Sequence, residues 1–160
     1  MKWKLSHNAI DNAGEKLPKL AEKYFRAGRR AAGKKNTPKQ LHRFRIQTKR
    51  FRYSLELFGP IYGPTLDRHI ASLRGIQDAL GKVSDYQTIQ EMIAGDKKLE
   101  AKVHKARDRK IKEFKEEWKK FDSDGQLQRW KTYLTRTHSA PKRAASTASR
   151  SNKAAQAPES

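Results

Sequence analysis

The chain has 160 residues and a formal net charge of +20 at pH 7, with 37 Lys and Arg against 17 Asp and Glu, and its length suits one compact domain. It contains no cysteine, which excludes disulfides, thiolate catalysis and cysteine-based zinc sites. Because no window is apolar enough for a membrane span and no signal-peptide core follows the N-terminus, we expect a cytoplasmic protein whose surplus positive charge is offset by an anionic partner.

The first predicted helix carries an apolar row and a cationic row beside it. The apolar row ends before Gly33, and Pro18 interrupts the segment, which indicates a kink or a late start of the helix. The cations recur at spacings of three and four residues, and they are Lys16, Lys19, Lys23, Arg26 and Arg30. Such a row is typical either of an anion-binding surface or of long side chains that cover the edge of the core and bind nothing.

The second predicted helix has clear sequence signals at both ends. Thr37, Pro38 and Gln40 form a capping box with proline at the first helical position, and Gly59 and Pro60 end the helix. One apolar seam runs along it, and its members are Leu41, Phe44, Thr48, Phe51, Leu55 and Phe58. We expect this seam to face the core of a helical bundle.

A second cationic row lies on the same helix between two apolar surfaces. At about 100° per residue, one face collects His42, Arg45, Lys49 and Arg52. The seam flanks this row on one side, and the strip that flanks it on the other is Ile46, Tyr53 and Leu57. The opposite, solvated face holds Arg43, Gln47, Arg50 and Ser54. Because cations between apolar surfaces are costly without an anion, we expect this row to line a cleft or pore that is continuous with the row of the first helix.

The next segment is predicted to contain two helices. A third helix over residues 65–80 ends at Gly81, and a short helix capped by Ser84 and Asp85 follows it. Gln77 lies on the apolar side of the third helix, so we expect its amide to hydrogen-bond across the bundle, with a ligand contact as the alternative. Asp85 is expected to cap the short helix or to pair with an arginine of the groove.

The rest of the chain adds two helices and a tail. Residues 96–121 form a long helix whose Glu and Lys residues interleave as on a solvated face, and a last short helix carries Trp130. Residues 139–160 contain no Leu, Ile, Val or aromatic residue, which predicts a disordered basic tail. The chain is therefore predicted to be all-α: a helical bundle of about four main helices with short extra helices over residues 1–138, followed by that tail.

No arrangement of residues in the sequence indicates catalysis. It shows no Gly-rich phosphate loop, no Ser/His/Asp set and no paired carboxylate site. His42 could act as a general base or a metal ligand, but a phosphate-contacting or packing role is favoured because no second His or carboxylate lies at metal-binding spacing around it. We expect a binding protein that is not an enzyme and that needs no cofactor or metal.

Two segments resemble the CHAD family, the conserved histidine α-helical domain. Residues 41–58, with the sequence LHRFRIQTKRFRYSLELF, resemble its signature helix, which has a His, an Arg three residues on, a basic cluster ending in Arg-Tyr, and a Glu. The segment from Leu73 to Asp85 resembles the second element of the family, Leu-Gln-x-x-Leu-Gly-x-x-x-Asp. Both motifs occur in the family's order, and the strong part of the resemblance covers about residues 41–93.

The resemblance implies a helical bundle whose basic central surface binds inorganic polyphosphate, in proteins that can associate with polyphosphate granules. The residues that it carries over are His42, Arg45, Lys49, Arg50, Arg52, Tyr53, Gln77, Gly81 and Asp85. We add Arg74, Lys82 and the row of the first helix to the expected binding residues. CHAD domains usually hold two such helical units and this chain has one, so we expect two chains to pair as a homodimer.

The function classes that remain open differ in the chemistry they need. Polyphosphate repeats its charges without bases, so a groove of Lys and Arg suits it. The alternative is a nonspecific nucleic-acid-binding protein that uses the same groove and the tail, although single-strand binders usually interleave aromatic side chains with the cations. An enzyme of phosphate metabolism would need acidic residues arranged to hold a metal, and an interaction scaffold would need none of these features.

Overall fold

The helices follow one another through the part of the chain that the computed structural model describes, which is residues 8–34, 36–93 and 95–135. Over these residues the order is α1 (Ala9–Ala31), α2 (Pro38–Leu57), α3 (Gly59–Tyr62), α4 (Thr65–Met92), α5 (Lys97–Phe121) and α6 (Gln126–Thr135), with no strand. The predicted all-α bundle with four main helices is therefore confirmed. The predicted tail over 139–160 lies outside the described residues.

Side-chain caps define where α1, α2 and α5 begin. The Thr37 hydroxyl accepts a hydrogen bond from the backbone N–H of Gln40 at 3.2 Å, and the Gln40 side chain accepts one from the N–H of Thr37 at 2.9 Å. This is the predicted capping box, and it is confirmed. Asn8 caps α1 by accepting from the N–H of Asp11 at 2.8 Å, and Asp96 caps α5.

Helix α1 starts earlier than the sequence suggested. It runs from Ala9, and Pro18 lies inside it as a buried residue, so the late start, one of the two alternatives predicted at Pro18, is wrong. Proline removes one backbone hydrogen bond. Its neighbours Leu17 and Ala21 are fully buried, and the packing of this apolar face keeps the segment helical.

Helix α4 is also longer than predicted. It continues through Gly81 to Met92, so the expected break and the separate short helix are wrong. A glycine inside a helix costs only about 1 kcal/mol relative to alanine, and burial of Leu80 and Val83 on either side outweighs that cost. Asp85 therefore lies in the middle of α4 as an exposed residue and does not cap a helix.

An aromatic cluster joins α1, α2 and α5. The ring of Tyr24 stacks on those of Phe44 and Phe51, with centroids 5.2 and 4.8 Å apart, and Trp118 of α5 meets it edge-on at 5.7 Å. Gly28 leaves the room that Trp118 fills, because a Cβ at this position would lie 2.0 Å from the indole ring. These contacts hold α1 against the apolar seam of α2.

Helix α2 lies between α1 and α4, and this order positions the candidate site. Helix α4 also packs against α5, while α6 packs against α1. At one end of the bundle the hydroxyl of Tyr62 donates to the carbonyl of Leu134 at 2.8 Å, and the hydroxyl of Tyr133 donates to the carbonyl of Tyr62 at 3.0 Å. Among the described residues no helix is long and apolar enough to cross a membrane.

Candidate polyanion site

The cationic row of α2 runs along the groove between α2 and α4. At one end, the Nε of Arg52 donates a hydrogen bond to the amide oxygen of Gln77 at 3.1 Å. One turn further, the carboxylate of Glu56 accepts from Arg74 of α4 at 3.2 Å. These two contacts place the row beside α4, on a different side of α2 from the aromatic contacts with α1. The predicted hydrogen bond of Gln77 across the bundle is confirmed.

Arg52 is held rigidly in this groove. Its guanidinium also pairs with Glu56, four residues further along the helix, and its side chain is only 13 % exposed. The Tyr53 ring lies 4.5 Å from the guanidinium carbon, close enough for a cation–π contact. Arg52 is therefore a fixed charge whose carboxylate partner is shared with Arg74. The sequence analysis did not identify this role of Glu56, although its spacing of four residues from Arg52 is the signal for such a pair.

Arg45 is the residue of the row whose hydrogen bonds are incomplete. It is half-buried, and its Nε is buried without a hydrogen-bond partner. A buried donor without a partner costs about 1–3 kcal/mol, more when it is charged. Lys49 and His42 are exposed on the same face, and the Lys49 ammonium lies 5.7 Å from the Tyr53 ring centroid. The middle of the row thus offers cationic donors to an incoming anion.

The groove is concave at both ends, but the two ends differ in charge. Near the start of α2 a cavity of about 590 Å³ is lined by Thr37, Pro38, Lys39, His42, Ser84, Gln87, Thr88 and Glu91. At the other end a cavity of about 300 Å³ is lined by Glu56, Gly59, Asp67, Ile70 and Arg74. The second cavity has two carboxylates, whereas the first has one, that of Glu91, so an anion is favoured toward the His42 end of the row.

The second apolar strip of α2 is not covered by another helix. Ile46, Tyr53 and Leu57 are 38 %, 48 % and 71 % exposed. The expectation that core packing flanks the cationic row on both sides is therefore wrong. The row lies at the rim of an open groove, because α4 approaches from the side of Arg52 and Gln77 and leaves the strip to solvent. The predicted homodimer stays a prediction, and this strip is the exposed apolar surface on α2.

The cationic row of α1 does not join the row of α2. Of its members, Lys19, Lys23, Arg26 and Arg30 are exposed and Lys16 is half-buried. They lie opposite the buried face of α1, and that buried face is the one that contacts α2. The ammonium groups of Lys16 and Lys19 approach one carboxylate oxygen of Glu15, at 3.8 and 3.3 Å. The predicted continuous groove formed by both rows is wrong, since the rows lie on separate faces.

Lys82 lies on the α5 side of α4 and not in the groove. The pKa of Glu113 in α5 is lowered mainly by the hydrogen bond from Lys110, with a smaller contribution from the charge of Lys82. Arg50 and Arg43 are exposed on the outer face of α2, as the helical periodicity predicted. The structure therefore brings Arg74, but not Arg50 or Lys82, to the row of α2.

Two other histidines of the described residues have local contacts away from the groove. His69 lies against Trp130 and Tyr133, with ring centroids 4.5 and 5.1 Å away, and burial lowers its pKa. His104 lies 3.1 Å from the carboxylate of Asp108 on the same helix. Among the described residues, no group of three or more His, Asp or Glu side chains is arranged to hold a metal ion.

Comparison with known proteins identifies a family. No curated protein and no solved structure is significantly similar to the chain. The family model of the CHAD domain matches residues 3–94. These residues contain α1 to α4 and both of the CHAD-like sequence segments described above. CHAD domains are in general associated with polyphosphate binding. Because the match covers more than half of the sequence, this chain belongs to the CHAD family.

Proposed function

We propose that this protein binds inorganic polyphosphate along the groove between α2 and α4. The polymer contacts four side chains of α2, those of His42, Arg45, Lys49 and Arg52. The observation that supports this most is the buried Nε of Arg45, which has no hydrogen-bond partner although it belongs to a cationic row. Once the Arg45 side chain turns toward the groove, a phosphate oxygen would accept a hydrogen bond from this donor, and the phosphate charge would offset the repulsion between neighbouring cations.

The four side chains have different roles in this proposal. Arg45 supplies directed hydrogen bonds through its planar guanidinium, whereas Lys49 supplies a mobile point charge. Arg52 is oriented by Gln77 and Glu56, so it contributes a fixed positive field. His42 lies in the larger cavity, where its ring can contact a phosphate at the end of the row.

The ligand is proposed to be a phosphate polymer because the groove recognises charge and little else. The phenylalanines of α2 that could stack on bases, Phe44 and Phe51, are buried in the core. Tyr53 is the aromatic residue beside the row, and its ring is engaged with Arg52. Proteins that bind single-stranded nucleic acids use several exposed aromatic surfaces for successive bases. Polyphosphate has no bases, so its binding needs no exposed aromatic side chains.

We propose a binding module and not an enzyme, located in the cytoplasm and associated with polyphosphate granules. Glu56, the carboxylate beside Arg52 in the groove, is already engaged by two arginines. It is therefore poorly placed to activate water or to take up a proton from a substrate.

The test compares two double variants that change the net charge equally. Arg45→Glu with Lys49→Glu alters the groove, and Arg43→Glu with Arg50→Glu alters the exposed outer face of the same helix. At a salt concentration of about 0.15 M, where diffuse attraction is screened, we expect only the groove variant to lose affinity for polyphosphate.

Competition with DNA and RNA in the same assay distinguishes the ligand class. Polyphosphate should displace both nucleic acids from the wild-type protein. Equal losses in the two variants, or tighter binding of DNA than of polyphosphate, would contradict the proposal.

A further inference from the structure

Helix α5 has a mixed-charge sequence, but most of its acidic side chains have partners close by in the chain. Glu100 accepts a hydrogen bond from the backbone N–H of Gly95 at 2.8 Å. Three further acids have basic partners on the same helix: Asp108 with His104 at 3.1 Å, Glu113 with Lys110 at 2.8 Å, and Glu117 with Lys120 at 2.8 Å. The fifth, Glu116, is exposed. Lysines therefore offset the charge of two of the five carboxylates of the helix, those of Glu113 and Glu117.

A row of cations remains on the outer face of α5. It has spacings of four, three, four and three residues, and its members are Lys98, Lys102, Lys105, Arg109 and Lys112. All five are exposed, and the row is about 21 Å long at 1.5 Å per residue. Helical periodicity places it opposite the buried residues of the helix, such as Val103 and Phe114. The Nε of Arg109 lies 4.0 Å from a carboxylate oxygen of Glu113.

This row, here called the α5 row, is separate from the groove. Helix α5 packs against α4, and α4 in turn packs against α2, so α4 lies between the two cationic surfaces. The CHAD match ends at residue 94, whereas α5 begins at Lys97. The α5 row is therefore a feature of this chain outside the matched part.

We infer that the α5 row is a second polyphosphate-binding surface, which lets one protein molecule hold two segments of polymer. The inference rests on the proposed function, because it extends the same ligand to a second face. The row presents repeated cations and no aromatic side chain, so it can attract repeated phosphates but offers no series of aromatic rings on which successive bases could stack.

Two cationic surfaces on different sides of one bundle have a physical consequence. A phosphate chain bound in the groove leaves the α5 row free to bind a second chain, or a distant part of the same chain. Binding at two points raises the effective concentration for the second contact and links polymer segments together. The protein would therefore condense long polyphosphate, which a single groove cannot do.

The experiment uses the full chain and a triple variant, Lys102→Glu, Lys105→Glu and Lys112→Glu, called the row variant. A matched control reverses the same number of isolated exposed cations, Lys34, Arg43 and Arg68. Calorimetry at a salt concentration of about 0.15 M counts the short polyphosphate chains bound per protein, and light scattering follows assembly with long chains.

We expect the row variant to bind one short chain fewer than the wild type and to lose the scattering increase with long chains. The control should retain both, and circular dichroism should show unchanged helix content in all variants. An unchanged chain count in the row variant, or an equal loss in the control, would overturn the inference. It would equally be overturned if the row variant lost DNA binding while keeping its full polyphosphate count.

The groove variant, Arg45→Glu with Lys49→Glu, separates this inference from the proposed function. If the groove variant binds as many short polyphosphate chains as the wild type while the row variant binds one fewer, the proposed groove is wrong and binding at the α5 row is supported. If the groove variant loses one chain and the row variant none, only the second surface is wrong. If the wild type binds no polyphosphate at all, both are wrong.

Discussion

Helices α2 and α5 each carry a row of cations at helical spacing, but their surroundings differ. In α2, Arg52 is 13 % exposed and hydrogen-bonded to a neighbouring helix, and Arg45 has a buried Nε. In α5 the cations point to solvent, as at Lys105, and lie opposite the core. The side chains of a partly buried row have fixed orientations, and their charges are only weakly screened by solvent. The side chains of an exposed row are flexible, and water and salt screen their charges. We therefore expect the burial of the cations, rather than their number, to determine the affinity for polyphosphate.

The largest expected effect is on affinity for a short polyphosphate chain. Arg45→Glu with Lys49→Glu should weaken binding by about 3 kcal/mol, roughly a hundredfold, because two charge-assisted contacts are lost. Reversal of Lys102, Lys105 and Lys112 changes more charge but should leave the tightest binding step nearly unchanged. Calorimetric titration of both variants measures this. Weakening in proportion to charge would show that the two rows are equivalent.

A smaller effect is expected on stability. Arg52→Ala removes the contacts with Gln77 and Glu56 and should lower the free energy of unfolding by about 1–2 kcal/mol. Lys105→Ala, on the exposed row, should change it by less than about 0.5 kcal/mol. Urea unfolding of the two variants provides the comparison. Equal stabilities would mean that the contacts of Arg52 contribute nothing to the fold.

The two surfaces should also differ in their response to salt. Between about 0.05 and 0.2 M salt, binding to the α5 row should weaken more steeply, because exposed charges are screened more than partly buried ones. The row variant reports on the groove alone, and the groove variant reports on the α5 row alone. Titration of each across this range gives the two slopes, and parallel slopes would contradict the comparison.

The smallest expected effect concerns α4, which separates the two surfaces. Gly81→Ala should stabilise the protein by about 0.5–1 kcal/mol, because the site is helical and nothing lies within 4 Å of an added Cβ. Gly75→Ala in the same helix should stabilise the protein by a similar amount, because an added Cβ would meet nothing within 4 Å there either. Gly125→Ala should destabilise, because its φ is +72°. Chemical unfolding of these variants measures the differences, and destabilisation at Gly81 would indicate that α4 bends there.

The sequence predicted several local features of this fold correctly. The capping box at Thr37, the apolar seam containing Phe44 and Phe51, and the helix beginning near residue 96 all agree with the structure. Caps and helical periodicity depend on neighbours within a few residues, so they can be read from a single sequence. That Gln77 would hydrogen-bond across the bundle was predictable on another ground, since an amide on an apolar face needs a partner, but only the fold shows that this partner is Arg52.

The sequence alone determined which residues share a helix face, and the tertiary structure alone decided what each face meets. Periodicity put Arg45 and Lys49 on one face of α2 and the α1 cations on another helix, but it could not show that these rows point to different sides of the bundle. Nor could it show that Leu57 is left 71 % exposed or that α4 continues through Gly81. A helical wheel specifies an angle, whereas burial and hydrogen bonding depend on packing between helices far apart in the chain.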